Sequence, residues 1–213
     1  MRRMLLLSNS TAHPSVASAH GVPEGPLGWC REILEEVLGD AREVLFLPYA
    51  LADHAAYAMK VAQAFDALGK ILHSAHKRRE PRKLVEDAEA VYVGGGNTFR
   101  LLNALWELDL VDVLRERVLQ GMPYTGASAG SNIATRDIRT TNDMPIVQPP
   151  TFAALGLVPI QLNPHYQETP TSTHMGETRD QRLAEFLEED PGPILGLREL
   201  AWLRVHGDTM TLG

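Results

Sequence analysis

The sequence predicts an α/β fold: a single domain built on a mostly parallel, doubly wound sheet, with helices on both faces and a nucleophile elbow. Three observations predict it. Short apolar runs alternate with segments of helical period along the chain, the pattern of successive βαβ units. Several of those runs are unbroken rather than alternating, as in strands covered on both faces. The segment Pro123–Gly130 reads as a strand followed by Gly-x-Ser-x-Gly, and Ser131–Ala134 continues it as a helix.

The elements follow in order. Met4–Leu7 is a first buried strand. Arg2 and Arg3 precede it, as in a secretory leader, but four apolar residues fall short of the roughly 7–15 such a leader needs. No stretch approaches the ~18 apolar residues of a membrane span, so the expected location is the cytoplasm. Ser10–Gly25 carries Ser, His, Pro and Gly and reads as a loop. Helical patterns at Leu27–Leu38, Ala52–Leu68 and Arg82–Asp87 alternate with strands at Val44–Pro48, Lys70–His73 and Ala90–Val93. Two further helices, Thr98–Leu105 and Leu110–Gln120, precede a strand at Met122–Thr125. In the second of these, Val111, Leu114 and Val118 share one face. Strands at Pro159–Leu162, Ile194–Leu197 and Ala201–Val205, with a helix at Gln181–Glu188, complete the pattern. Glu185–Asp190 reads as a solvated helix end. Thr135–Pro150 and Asn163–Gly176 are long polar loops, which in compact domains are often functional.

Composition narrows the function. The chain has 213 residues, 44% hydrophobic and 22% charged, so one ordered domain spanning 1–213 is expected. Its net charge of −7 disfavours nucleic acid and anionic membranes as partners, since both need clustered Lys and Arg. A lone Cys30 excludes an internal disulfide framework and paired-cysteine metal sites.

The chemistry concentrates in three places. Ser128 stands at the sharp turn of the elbow, where small neighbours allow close backbone approach and the Ala129 amide can meet a developing oxyanion. A serine needs a base. Of the eight histidines, His165 follows an apolar strand, at the end where α/β folds place catalysis; His174 is a weaker alternative. The other six read as surface or structural groups. Asp143, Glu168, Glu177 and Glu199 are candidates to orient the imidazole, and spacing alone does not choose among them. Gly94-Gly95-Gly96 follows a strand and opens a helix. It lacks the third glycine of a dinucleotide loop and the Lys of a phosphate loop, which leaves a second oxyanion donor or a plain helix-start turn.

The chain resembles the peptidase E family of aspartyl dipeptidases, serine peptidases on a class I glutamine-amidotransferase-like fold. The resemblance rests on Leu5–Ser10, Val93–Phe99, Ser128–Gly130 with Asn132, Ile138–Val147, Leu162–His165 and Gly176–Arg182, in family order over nearly the whole chain. It implies Ser128 as nucleophile and His165 as general base, with Glu199 as the acidic partner and Asp143 as its rival. Gly96 and Ala129 would supply the oxyanion amides. Arg179 would meet the substrate's aspartyl side chain, with Asn97 also at the substrate. It implies hydrolysis of Asp-Xaa dipeptides without metal or cofactor, and a homodimer. The alternatives are a cyanophycinase-like hydrolase and a non-catalytic Asp- or peptide-binding protein on the same fold. A Ser at the elbow counts against a glutaminase, because that fold's amidotransferases place Cys there. The sequence departs from the family at Leu200, where Gly is usual, at Gln148, where Asp is expected, and in the Ala-rich stretch Leu51–Ala58. It also ends at Gly213, short of the C-terminal hairpin many relatives carry.

Overall fold

The computed structural model describes residues 1–23, 25–77, 79–168 and 176–213. Its strands are β1 (Arg3–Leu7), β2 (Glu43–Leu47), β3 (Ile71–Ser74), β4 (Ala90–Val93), β5 (Tyr124–Ala127), β6 (Gln161–Pro164), β7 (Ile194–Leu197), β8 (Trp202–His206) and β9 (Thr209–Leu212). Seven of them form one sheet in the order β3-β2-β4-β5-β1-β8-β9. The first five in that order run parallel, and β8 and β9 extend the sheet antiparallel as a hairpin. β6 and β7 form a separate parallel pair. The helices are α1 (Pro14–His20), α2 (Arg31–Leu38), α3 (His54–Ala67), α4 (Pro81–Asp87), α5 (Thr98–Glu107), α6 (Val111–Gln120), α7 (Ala129–Asn132) and α8 (Arg179–Glu189).

Strand alternation sorts the core into two layers. Met4 and Leu6 of β1 face one way, with Val91 and Val93, onto Leu101 and Leu105 of α5 and Leu114 and Val118 of α6. Leu5 and Leu7 face the other way, with Phe46 and Tyr92, onto Leu34 and Leu38 of α2 and Val61 and Phe65 of α3. The unbroken apolar runs are therefore a consequence of double coverage. The α/β class and the helices on both faces match the reading from sequence.

Two elements differ from that reading. The expected loop at Ser10–Gly25 contains α1, a seven-residue helix capped by the His13 side chain. It buries one residue, Ala17, so no apolar stripe announces it. The hairpin strand β9 is exposed along its length, and its Thr-Met-Thr-Leu alternation spans only 4 residues. Boundaries shift at β5 as well. The strand starts after Pro123 and continues through Gly126-Ala127 into the elbow, because small residues extend a strand where packing is tightest.

One side chain ties the two sheets together at the end of β1. Ser8, fully buried just beyond β1, accepts a hydrogen bond from the His165 N–H at 2.9 Å. Its hydroxyl donates to the Leu197 carbonyl, also at 2.9 Å. Thus the end of β1 is joined to the ends of both β6 and β7. Ser8→Ala leaves a polar group of this junction unpaired and is expected to cost about 1–2 kcal/mol, read from the midpoint of chemical denaturation. Gly130 is equally constrained, because an added Cβ would lie 2.2 Å from the Val93 carbonyl oxygen. Gly130→Ala forces β4 and the elbow apart and is expected to cost about 3 kcal/mol or to prevent folding, checked by the same measurement.

Candidate active site

The site lies at the carboxyl ends of the parallel strands. Ser128 follows β5 with φ 52° and ψ −108°, a backbone conformation that a side chain rarely adopts. Its N–H donates to the Leu7 carbonyl at 3.0 Å, and its own carbonyl accepts from the Ser131 and Asn132 amides. The turn is thereby fixed on three sides, and it aims Oγ away from the sheet.

His165 Nε2 lies 2.9 Å from Ser128 Oγ. The other ring nitrogen, Nδ1, is hydrogen-bonded to the Glu199 carboxylate. The three side chains come from the ends of β5, β6 and β7. His165 also has positive φ, as does Leu200 at 64°, so each arm of the constellation turns sharply as it leaves its strand. The departure at Leu200 has a physical meaning here. A left-handed backbone position is one that Gly occupies without steric cost, and Leu occupies it at about 1–2 kcal/mol. The Leu200 N–H is held by Asn9 Oδ1 at 2.9 Å, which keeps the turn closed behind Glu199.

Asp143 does not meet the imidazole. Its Oδ2 accepts from the Thr98 N–H at 2.7 Å, from Thr98 Oγ1 at 2.6 Å and from Thr141 Oγ1 at 3.2 Å. Glu168 pairs with Arg198, and Glu177 lies 3.7 Å from Arg182. His174 falls outside the described residues. Asn97 makes two structural contacts. Its carbonyl oxygen caps α5 at the Arg100 N–H, 3.0 Å away, and its amide donates to the Met144 carbonyl at 2.8 Å. Asn97 thereby ties the Asp143 loop to α5.

The glycine turn separates its three amides. The Gly94 N–H reaches the Leu47 carbonyl at 3.3 Å, and the Tyr57 hydroxyl packs so closely on Gly94 that a Cβ there would lie 2.5 Å from it. The amides of Gly96 and Ala129 donate to no acceptor among the described residues. Gly96 has φ 138°, and a Cβ there would lie 2.6 Å from the Ala50 carbonyl oxygen, so only glycine fits.

Arg179 opens α8, whose start is fixed by a capping box. Thr178 Oγ1 accepts from the Gln181 N–H, and the Gln181 side chain accepts from the Thr178 N–H. Burial, with Arg182 nearby, lowers the Arg179 pKa, and the charge of Asp143 opposes that shift. No group of three or more His, Cys, Asp or Glu able to hold a metal occurs among the described residues. None of their helices is long and apolar enough to cross a membrane. Cys30 is buried far from the site, and desolvation raises its pKa to about 12, so it is no rival nucleophile. Ser8, Thr98 and Asn9 are the site residues that sequence reasoning missed. For Ser8 the available signal was a polar residue at the end of a fully apolar strand.

With this geometry in view, comparison with known proteins is informative. The chain is 49% identical to "Peptidase E" of Streptomyces coelicolor over 99% of its own length and 83% of that protein's. It is 45% identical to a Drosophila melanogaster protein named "Probable alpha-aspartyl dipeptidase", over 99% of this chain and 86% of that one. A crystal structure from Listeria monocytogenes, described as a "Putative Peptidase E Protein", superposes with a TM-score of 0.74 at 21% identity, covering 100% of this chain and 98% of that one; it shows a shared fold. The profile of Peptidase family S51 matches residues 4–213. The chain belongs to Peptidase family S51.

Proposed function

We propose that the chain is a serine-type dipeptidase that hydrolyses peptides beginning with aspartate, Asp-Xaa, through an acyl-enzyme. The observation that carries the reading is the His165 ring standing between Ser128 Oγ and the Glu199 carboxylate. The names of the relatives above agree with it.

The chemistry follows from the geometry. His165 Nε2 takes the Ser128 proton as Oγ attacks the carbonyl carbon of the substrate aspartate. Glu199 accepts the Nδ1–H, which sets the tautomer and stabilises the imidazolium. The unpartnered Gly96 and Ala129 amides receive the oxyanion. The imidazolium then gives its proton to the leaving amine and the C–N bond breaks. Water attacks the ester with His165 again as base, which releases aspartate and restores Ser128. Arg179, at the positive end of α8, takes the side-chain carboxylate of the substrate. Asp143, held by Thr98, stays outside the triad. The reading extends to one catalytic domain over 1–213, to a cytoplasmic location, and to a homodimer, the state that the resemblance implies.

Purified protein is expected to hydrolyse Asp-Leu and to leave Ala-Leu intact, read by release of free leucine. Ser128→Ala should lower kcat by roughly 10⁴-fold or more with an unchanged thermal midpoint, and retained turnover removes Ser128 as nucleophile. Arg179→Ala should lower kcat/KM for Asp-Leu by roughly 10–100-fold.

A further inference from the structure

Among the described residues β6 has a strand on one edge only, β7, and side chains take the place of a strand on the other. The Gln161 N–H donates to the Pro193 carbonyl at 2.9 Å, so residues 161 and 163 face β7, while 162 and 164 face away from it. On that outer edge the Leu162 carbonyl accepts from Thr140 Oγ1 at 2.7 Å, and the Pro164 carbonyl accepts from the Asn142 side-chain amide at 2.8 Å. Thr140 and Asn142 are two residues apart, as are the carbonyls they meet. Pro164 offers no N–H to a true strand there. Asn163 fixes the arrangement. Its Nδ2 donates to the Thr140 carbonyl at 2.7 Å and to Asn142 Oδ1 at 2.9 Å. With Oδ1 engaged by a donor, Asn142 presents its Nδ2 hydrogens to Pro164.

The bond to Pro164 matters for the residue that follows. Pro164 and His165 share one planar peptide unit. Asn142 holds its carbonyl, and Ser8 Oγ accepts its N–H at 2.9 Å. His165 has φ 56°, a left-handed backbone that an L side chain adopts only at a steric cost. Directly afterwards the Tyr166 N–H donates to the Leu197 carbonyl at 2.9 Å, so the turn is confined to His165 itself. Its φ relaxes to the ordinary negative range only if the peptide unit and the side chain rotate relative to each other. With the unit clamped at both edges, the side chain keeps the direction that sets Nε2 2.9 Å from Ser128 Oγ. With the carbonyl released, the strain acts on the Ser8 bond and on the ring.

We infer that Asn142 is a positioning residue: its amide clamps the Pro164 carbonyl and holds the strained His165 turn in the form that aims the imidazole at Ser128, an inference that rests on the serine-peptidase reading above. Among the described residues the Asn142 side chain bonds Pro164 and Asn163 and none of the triad. It acts on the base through the backbone, so its effect falls on the chemical step rather than on substrate binding. A misplacement of about 1 Å in a catalytic group costs roughly 100-fold in rate, which sets the scale.

Two variants test this. Asn142→Asp keeps an acceptor for Asn163 and replaces the Nδ2 donor with an oxygen. Asn142→Leu removes the donor without adding charge. Both are expected to lower kcat for Asp-Leu by roughly 10–100-fold with little change in KM. Nitrogen NMR of the His165 ring gives a second readout that needs no substrate, because the shifts report which ring nitrogen carries the proton and how firmly it is bonded. In wild type the proton should sit on Nδ1, against Glu199, and in both variants that preference should weaken. A loss of loop stability alone lowers the thermal midpoint and leaves kcat and the ring shifts in place. Wild-type kcat with wild-type ring shifts in either variant overturns the inference, as does a loss confined to KM, which would make Asn142 part of the substrate site. If wild type cleaves Asp-Leu and either result appears, this inference alone fails. If wild type cleaves no Asp-Xaa peptide, the dipeptidase reading fails, and the ring shifts decide whether Asn142 positions His165.

Discussion

Three consecutive residues at the end of β1 hold the three side chains in register. The Leu7 carbonyl accepts the Ser128 N–H at 3.0 Å, and the Ser8 hydroxyl accepts the His165 N–H. Asn9 Oδ1 accepts the N–H of Leu200, the residue after Glu199. The constraint matters because the constellation spans two sheets. Ser128 belongs to the seven-stranded sheet, and His165 and Glu199 to the β6–β7 pair. Among the described residues no strand pairing joins the two sheets, so these three bonds, together with Leu162 and Leu197 packed into the common core, secure the 2.9 Å contact between Ser128 and His165. Each is short and largely shielded from water, the condition in which a hydrogen bond positions a group most firmly.

The acidity of the chain then takes on a different meaning. A net charge of −7 repels a substrate with an acidic side chain, so attraction has to be local. In the proposed reading Arg179 provides it at a cost, since partial burial lowers its pKa and charged groups resist desolvation. Its position at the first turn of α8 adds the positive end of the helix to the guanidinium charge.

Much of this was legible in the sequence, and the exceptions have physical causes. The eight expected strands and six expected helices all occur, because double coverage and helical period leave clear apolar patterns. Ser128 and His165 were within reach because each follows directly on a buried strand, and Glu199 because it lies two residues beyond β7. The choice between Glu199 and Asp143 was not legible. Both precede turns, and only three-dimensional packing shows that Thr98 takes one carboxylate while His165 takes the other. α1 and β9 escaped because they bury almost nothing, and a pattern read from burial is silent where burial is absent. The capping role of Asn97 escaped for a related reason: the position after a glycine turn is also where a helix takes a side-chain cap, and only the structure shows its oxygen on the Arg100 N–H.

Helix α8 shows how chemistry and recognition are divided within the fold. Around the half-buried Ser128 the elbow is built from buried residues, with glycine backbone packed against β4. By contrast no residue of α8 is fully buried, and Arg179 is only partly covered. Its last turn is tied by Asp190 to Arg136 and Arg139, and the Arg139 guanidinium lies 4.9 Å over the Phe186 ring. Its first turn is tied by the Tyr166 hydroxyl, which donates to Asp180 at 2.5 Å. Ionic and polar ties at an exposed surface are individually weak, whereas apolar burial is not, so α8 sits at the low end of the local stability range. Ser128 and His165 must hold their separation through every turnover. In the proposed reading Arg179 admits a charged substrate and releases a charged product. A recognition helix fastened at its ends by screened charges can do the second without disturbing the first.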